Sequence, residues 1–568
     1  MKTRSSLFTI FYFLSSLICA YCQTDSISNW QDQIISRLDP SEFNEVAYSR
    51  LLEMISDLSI SRNDTVYPTR IRQDIILRSD YSPKDKDYLG EDWSQTIRYK
   101  IQVGKDWSGG LVLNKDAGEQ FRLRFPLFDS YNYYVSYKPS AKKTILDRII
   151  LGKYRVKLGS GLLINQQFSL GKSISHDTFI TNGTLFSPHS STDEYNYMQG
   201  ALVEMGNKHF SFSPFFSYKR IDAVVSGDTI TSIPTDGYHR TLNEEAKRDK
   251  AAVLNAGMHA SLRSYWAEIG MNVLYTRFPH PFIRPTRTYN IYYYRGQQLL
   301  QGSLDYHVHR YGFQLRGETA LDQDLNIATI NQLSHSIGED WKASVLYRYF
   351  GQKYQQLYGA TTSEGSSMQG EQGVMLSVEG EPLAHWKVNL MVDYFRLSNI
   401  TYGYDAPLSG YELSTQAQYK ETKTTLLLSY RLKFKEAFRH SMDATISYTL
   451  KNALLFKTQF RSKVFSSKKT GGYSFGYAIS QSIGWNRTTS PLSIEAQGTW
   501  FDAQDYETRL YLSEKNILYG FSIPMLYGRG IRLSLTGSYK INKMFSLDMK
   551  YALAKGKSNL CMQVKVKI

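Results

Sequence analysis

Ile531-Arg532-Leu533-Ser534-Leu535-Thr536-Gly537-Ser538-Tyr539-Lys540 is followed by Ile541-Asn542-Lys543-Met544 and then by Phe545-Ser546-Leu547-Asp548-Met549-Lys550-Tyr551-Ala552-Leu553. Apolar and polar residues alternate through both halves. Successive side chains of a β-strand point to opposite faces, so Ile531, Leu533, Leu535 and Tyr539 share one face and Arg532, Ser534, Thr536 and Lys540 the other. The break between the halves is short enough for a tight turn, which makes the pair an antiparallel hairpin. Downstream, Leu560, Met562, Val564, Val566 and Ile568 keep the same period to the last residue. The sequence stops inside a strand. This predicts pairing of the last strand with the first, which removes an open edge that lipid cannot satisfy. Ile568 stands where such barrels often carry an aromatic residue.

The same pattern extends upstream. Leu426, Leu428, Tyr430, Leu432 and Phe434 alternate with Leu427, Ser429, Arg431 and Lys433, and Met442, Ala444, Ile446, Tyr448 and Leu450 alternate with Asp443, Thr445, Ser447, Thr449 and Lys451. The period of two holds from about Thr69 to Ile568. Aromatics fall near segment ends on the apolar faces, Arg and Lys recur on the polar faces, and no blade-length repeat emerges, all of which opposes a soluble sandwich or propeller. The predicted fold class is β: a large antiparallel transmembrane β-barrel over residues 69–568. At roughly 20 residues per strand and connection it holds about 24–28 strands. So wide a barrel encloses an aqueous lumen unless loops or side chains obstruct it. The longest irregular stretches, 169–198, 222–250, 278–290, 351–372 and 399–410, are expected to crown the external rim or fold into the lumen, with their charges mostly solvated.

Composition agrees with this class. Tyr (43) outnumbers Phe (28) and Trp (8), and its amphipathic ring suits both strands and a membrane–water interface. A mean hydropathy of −0.39 excludes a helical membrane protein but not a barrel, in which every other strand residue faces lipid. The net charge of +15 suits lipid phosphates as well as nucleic acid and says nothing about fold.

Ahead of the barrel, Lys2 and Arg4 precede an apolar run from Leu7 to Ile18 that is too short to span a bilayer. Residues 1–22 therefore read as a signal peptide, with Ala20 three residues before a cut after Cys22. Cys19 and Cys22 follow Ile18 and Tyr21 rather than the small residue that lipid-modified cysteines normally follow. Only Cys561 then remains in the mature chain, which precludes an internal disulfide and a thiol metal cluster. Residues 23–68 change to a helical period: Trp30, Ile34 and Leu38, then Phe43, Ala47, Leu51, Ile55 and Leu58, with a break at Asp39-Pro40-Ser41 and Ser41 as N-cap. A short periplasmic helical segment is expected, packed on itself or on the barrel mouth, with residues 23–60 as the contact for any periplasmic or outer-membrane protein partner.

The residue types of hydrolase chemistry occur at His176-Asp177, His189-Ser190-Ser191 and Asp236 to His239, but none forms a nucleophile elbow or a zinc-hydrolase pattern. Gly171-Lys172-Ser173 looks like the end of a phosphate-binding loop, yet position 166 is Gln and no helix follows. Asp193 and Glu194 could hold a cation with Asp177, although a solvated acidic loop is the ordinary behaviour of such charges. No catalytic, cofactor-binding or metal residue is expected, no cofactor, and no enzymatic activity.

Several segments resemble a family of Bacteroidota outer-membrane proteins that carry a helix-hairpin-helix domain ahead of a long β-barrel. The resemblance rests on Leu151-Gly152-Lys153-Tyr154-Arg155-Val156-Lys157-Leu158-Gly159-Ser160-Gly161-Leu162, Gly171-Lys172-Ser173, Ser191-Thr192-Asp193-Glu194-Tyr195-Asn196, Thr235-Asp236-Gly237-Tyr238-His239-Arg240-Thr241, Tyr354-Gln355-Gln356-Leu357-Tyr358-Gly359 and Asp405-Ala406-Pro407-Leu408-Ser409-Gly410-Tyr411. Here Leu51 to Leu58 runs directly into Ser59-Ile60-Ser61-Arg62-Asn63-Asp64, so the hairpin units, the duplex-binding element, are missing. The resemblance implies a barrel in the outer membrane of a Gram-negative bacterium, in contact with its lipids, and implies little about activity. The expected function is a pore, transporter or envelope scaffold of unknown cargo, the alternatives being a subunit of an outer-membrane assembly and a DNA-binding or DNA-uptake protein. Nucleic acid is not an expected partner.

Overall fold

A computed structural model describes residues 71–568 except 84–87, 122–126, 141–144, 168–171, 173–184, 366, 451–452, 467–470, 488–489 and 521. The signal peptide (1–22) and the helical segment (23–68) lie outside the described residues. The alternating sequence forms 24 long strands: β1 (Ile71–Tyr81), β2 (Trp93–Val103), β3 (Trp107–Lys115), β4 (Ser130–Tyr137), β5 (Leu146–Val156), β6 (Met198–Gly206), β7 (Phe210–Ile221), β8 (Ala251–Arg263), β9 (Ala267–Phe282), β10 (Gly296–Arg310), β11 (Phe313–Asp322), β12 (Ile327–Ile337), β13 (Trp341–Phe350), β14 (Glu371–Leu383), β15 (Trp386–Leu397), β16 (Leu408–Lys420), β17 (Thr424–Lys435), β18 (Ala437–Leu450), β19 (Leu454–Ser466), β20 (Tyr473–Asn486), β21 (Leu492–Ala503), β22 (Gly528–Lys540), β23 (Phe545–Ala554) and β24 (Lys557–Lys567).

Each strand pairs antiparallel with the next, and β1 pairs with β24, Asp74 opposite Lys567 and Tyr81 opposite Leu560. The seam runs to the last residue, where Gln73 and Ile568 exchange backbone hydrogen bonds of 2.9 Å in both directions. The sheet is thus a closed barrel of 24 strands, the lower end of the expected range, and the stretch 504–527 does not add to it. Its short strands Leu510–Tyr511 and Met525–Leu526 pair only with each other.

The outer surface keeps the apolar half of the alternation. Ile531, Leu533 and Leu535 of β22, Leu547, Met549 and Tyr551 of β23, and Val374, Leu376 and Val378 of β14 are all exposed. Apolar exposure around a whole circumference is stable only in contact with lipid. Aromatic pairs sit near both rims: Trp107 with Tyr137 at 4.6 Å and Trp386 with Tyr419 at 5.3 Å on one, Tyr81 with Trp93 at 5.1 Å and Tyr411 with Phe434 at 5.3 Å on the other. The chain is an integral outer-membrane β-barrel.

The first and last strands begin and end on the rim of short turns, such as 104–106, 311–312 and 384–385, whereas the opposite rim carries 116–129, 157–197, 222–250, 351–370 and 504–527. Short turns face the periplasm and long loops the outside. The expected loop at 278–290 begins later, because β9 continues to Phe282.

Candidate functional site: the obstructed lumen

The lumen-facing side of the wall is largely polar but carries apolar patches, the largest of them under loop 157–197. Ile330 of β12, Leu346 of β13, Met375 of β14 and Met391 of β15 point inward, and apolar side chains there require a dry cover. Loop 157–197 supplies it. Leaving β5, the chain turns back at once: Lys157 pairs with Asn165, and Ile164 lies parallel to Tyr358 of loop 351–370. Asn165 N–H donates to Tyr358 O at 2.9 Å and Ala360 N–H to Gly161 O at 3.0 Å, so the two loops form one body. Leu158, Leu162, Leu163 and Ile164 are completely buried against the inward patch.

Glu318 of β11 fixes this body to the wall. Its carboxylate accepts from Ser160 N–H at 2.6 Å, Leu162 N–H at 3.1 Å and the Ser303 hydroxyl at 2.7 Å. Such charge-assisted bonds offset the desolvation of a fully buried carboxylate. The approach demands glycine. Gly159 has φ +50°, and a Cβ there would lie 2.7 Å from the Glu318 carboxyl carbon, while Gly161 has φ +92° and its Cβ would lie 2.4 Å from Ala360 O.

A buried ion cluster holds the other side of the loop body. Arg348 of β13 donates through Nε to Glu371 at 2.6 Å and through Nη1 and Nη2 to both oxygens of Asp393 at 2.8 and 3.0 Å. Lys172 of loop 157–197 reaches Asp393 at 2.6 Å and also pairs with Glu364 of loop 351–370, which Lys433 of β17 contacts at 3.0 Å. Burial works against the charge of Glu364, but Lys172, Lys433 and Lys435 hold its carboxyl well below the ordinary range. Glu371 further accepts from the backbone N–H groups of Glu364 and Gly365.

From the opposite wall, loop 504–527 also folds inward. Glu514 pairs with Arg532 of β22 and with Lys550 of β23 at 3.1 Å, and Ser513 receives Gln459 and Gln497, both at 3.1 Å. Arg98 of β2 lies 4.8 Å over the Tyr519 ring and donates to Ser190 O at 2.6 Å, which joins this hairpin to loop 157–197. Three loops from one rim therefore meet inside the barrel.

The residues singled out from sequence are placed as follows. His176 and Asp177 lie outside the described residues. Lys172 belongs to the ion cluster and not to a phosphate loop. Asp193 is buried, and its Oδ1 caps the turn by accepting from Tyr195 and Asn196 N–H, both at 2.9 Å, so the expectation of a solvated acidic loop fails for it. His189 meets Asp193 O through Nε2 at 2.9 Å. His239 lies between two carboxylates, Asp129 at 2.7 Å on Nδ1 and Asp222 at 3.0 Å on Nε2, and joins loops 116–129 and 222–250. Burial favours the neutral ring, but the bond to Asp222 and the charges of Asp222, Glu194 and Glu119 outweigh it and hold the pKa up at about 9. Glu119, Asp129 and His239 bring ligand atoms within 4.8 Å of one another. Arg248, paired with Asp129 and 2.9 Å from His239 Nδ1, already brings a positive charge to that cluster.

Sequence reading did not single out Glu318, Arg348, Glu371, Asp393 or Glu514. The first four stand at inward positions of alternating strands, where any polar residue fits, and Glu514 lies in a stretch that mimics a strand. The available signal was indirect: Leu158-Gly159-Ser160-Gly161-Leu162-Leu163 places two glycines beside an apolar run just where a strand should end.

No model of a known protein family matches the chain, and no curated protein matches it. Among solved structures, it is similar to the siderophore receptor PirA from Acinetobacter baumannii, with 8% identity, TM-score 0.45, and coverage of 89% of this chain and 81% of that one. The copper transporter OprC aligns with 8% identity, TM-score 0.43 and the same coverage. The outer membrane protein opdK from Pseudomonas aeruginosa aligns with 7% identity and TM-score 0.31 over 88% of this chain and 100% of that one.

Proposed function

We propose that the protein is a gated outer-membrane transporter, in which solute passes only when the inward-folded loops leave the lumen. The observation that carries this reading is Glu318, a wall residue whose carboxylate is satisfied by the backbone of an external loop. Beside their apolar seat, the loops are held by polar contacts that can be exchanged for water, a condition that suits a reversible gate. The luminal chemistry is binding and passage, and no catalytic step is assigned to it. Arg98, Arg348, Lys433 and Lys550 contribute to the basic charge but face the lumen, most of them beside carboxylates, which argues against a duplex-binding surface. Swelling of liposomes that contain the purified barrel tests the proposal. Sugars permeate slowly through the wild type and rapidly once loops 157–197 and 504–527 are both replaced by short turns; equal rates would refute the gate.

A second reading, a subunit of an outer-membrane assembly, is supported by the start of β1 at Ile71 on the short-turn rim. On that reading, residues 23–60 are the docking element. Affinity purification with and without them yields different partners on this reading and the same partners otherwise.

A further inference from the structure

Lys153, Arg155 and Lys157 stand at the end of β5 and just past it, where successive side chains are all buried. Lys153 and Lys157 have partners close by. Lys153 Nζ donates to Asn132 Oδ1 at 2.7 Å and lies 4.1 Å from the Tyr197 ring centre, and Lys157 lies under the influence of Glu318. Arg155 differs. It is 5% exposed, its Nε and Nη2 are buried, and neither meets an acceptor among the described residues. A guanidinium in that position loses its water without replacement, which costs several kcal/mol unless an anion completes it.

The surroundings raise the same demand. Lys219 of β7 lies 4.5 Å from the Tyr197 ring, on which Lys153 also sits, and the His189 ring lies 5.0 Å from it. His189 is wholly buried. Its Nε2 is engaged with Asp193 O and its Nδ1 has no partner. Burial, then the charges of Arg155, Lys153 and Lys219, push the His189 ring well below its ordinary range, so Nδ1 presents a lone pair. Glu194, Asp249 and Asp193 act on Lys153, but none of them bonds to Arg155. The cluster therefore offers buried N–H donors on the Arg155 cation beside a buried acceptor, His189 Nδ1.

We infer that Arg155, with His189, Lys153 and Lys219, forms a luminal site for a small protonated oxyanion of the hydrogen-phosphate type. Such a ligand presents acceptor oxygens to the Arg155 fork and an O–H to His189 Nδ1, and its charge balances the lysines. The site lies where loop 157–197 leaves the wall and is closed from solvent, Arg155 and His189 both being buried. This inference rests on the transporter reading and gives it a substrate class.

Calorimetric titration of the full-length protein in detergent with inorganic phosphate at pH 7 and low salt tests it. Saturable binding is expected, weakened roughly tenfold or more in Arg155→Gln, the worth of a charge-assisted hydrogen bond. Without phosphate, Arg155→Gln is expected to melt no lower than the wild type, because it removes an unpaired buried charge. Should that variant fail to fold, Arg155→Lys, which keeps the charge but loses the fork, is expected to bind phosphate more weakly than the wild type. Absence of phosphate binding, binding of acetate in its place, or binding unchanged in the folded variants overturns the assignment. Liposome swelling does not depend on phosphate, so failure here leaves the gate standing, and failure of the gate leaves a phosphate site measurable.

Discussion

Glu318 shows how a single side chain couples a strand to a loop 158 positions away in sequence. Without its carboxylate, the N–H groups of Ser160 and Leu162 stay buried and unbonded, a cost of about 1–3 kcal/mol for each group. Gly159→Ala tests the same contact from the other side. At φ +50°, with the carboxyl carbon 2.7 Å from the new Cβ, it is expected to destabilise the inward loop by about 1–3 kcal/mol. Faster proteolysis within 157–197, with the barrel's resistance to heat in detergent unchanged, is the outcome to look for. His239 yields a pH prediction. Its folded pKa of about 9 stands above the unfolded value of about 6.5, so its contribution is fully present below pH 6.5 and is lost as pH rises through 9. His239→Gln should therefore speed cleavage in loop 222–250 at pH 6 and make no difference at pH 10. A variant effect that grows with pH would contradict the ion-pair account.

At the scale of elements, the strands were legible because their constraint is local. In Leu426 to Phe434 or Ile531 to Tyr539, one face meets lipid and the other water, and the side-chain period of two exposes that division residue by residue. Loop 504–527 marks the limit of that signal. Its Leu510, Leu512, Ile523 and Leu526 pack inward, three of them under Phe501 and Ala478, so apolar residues mark a hairpin buried in the lumen instead of a strand facing lipid. The lipid-facing assignment has a direct consequence. Leu533→Arg on the outer face of β22 is expected to cost about 2–4 kcal/mol of folding free energy in lipid vesicles, as an arginine does near the bilayer midplane. Ser534→Arg, one residue along and luminal, should leave insertion intact. Equal penalties would mean that the two faces are misassigned.

For the molecule as a whole, closure was legible at its ends. The alternation up to Ile568 anticipated the seam with β1, where Gln73 and Ile568 continue the backbone ladder. The content of the lumen was not legible, because it depends on pairs such as Lys172 with Asp393 and Arg98 with Ser190, far apart in sequence and without a periodic signature. These pairs distinguish an obstructed barrel from an open one. Lys172→Ala combined with Glu318→Gln removes contacts of loop 157–197 with two different strands, β15 through Lys172 and β11 through Glu318. Single-channel recording of wild type and double variant in planar bilayers examines this obstruction most directly. The wild type is expected to be closed or to flicker at low conductance, and the double variant to open to large, long-lived steps; steady, large conductance in the wild type, unchanged by the substitutions, would contradict a lumen held shut by its own loops.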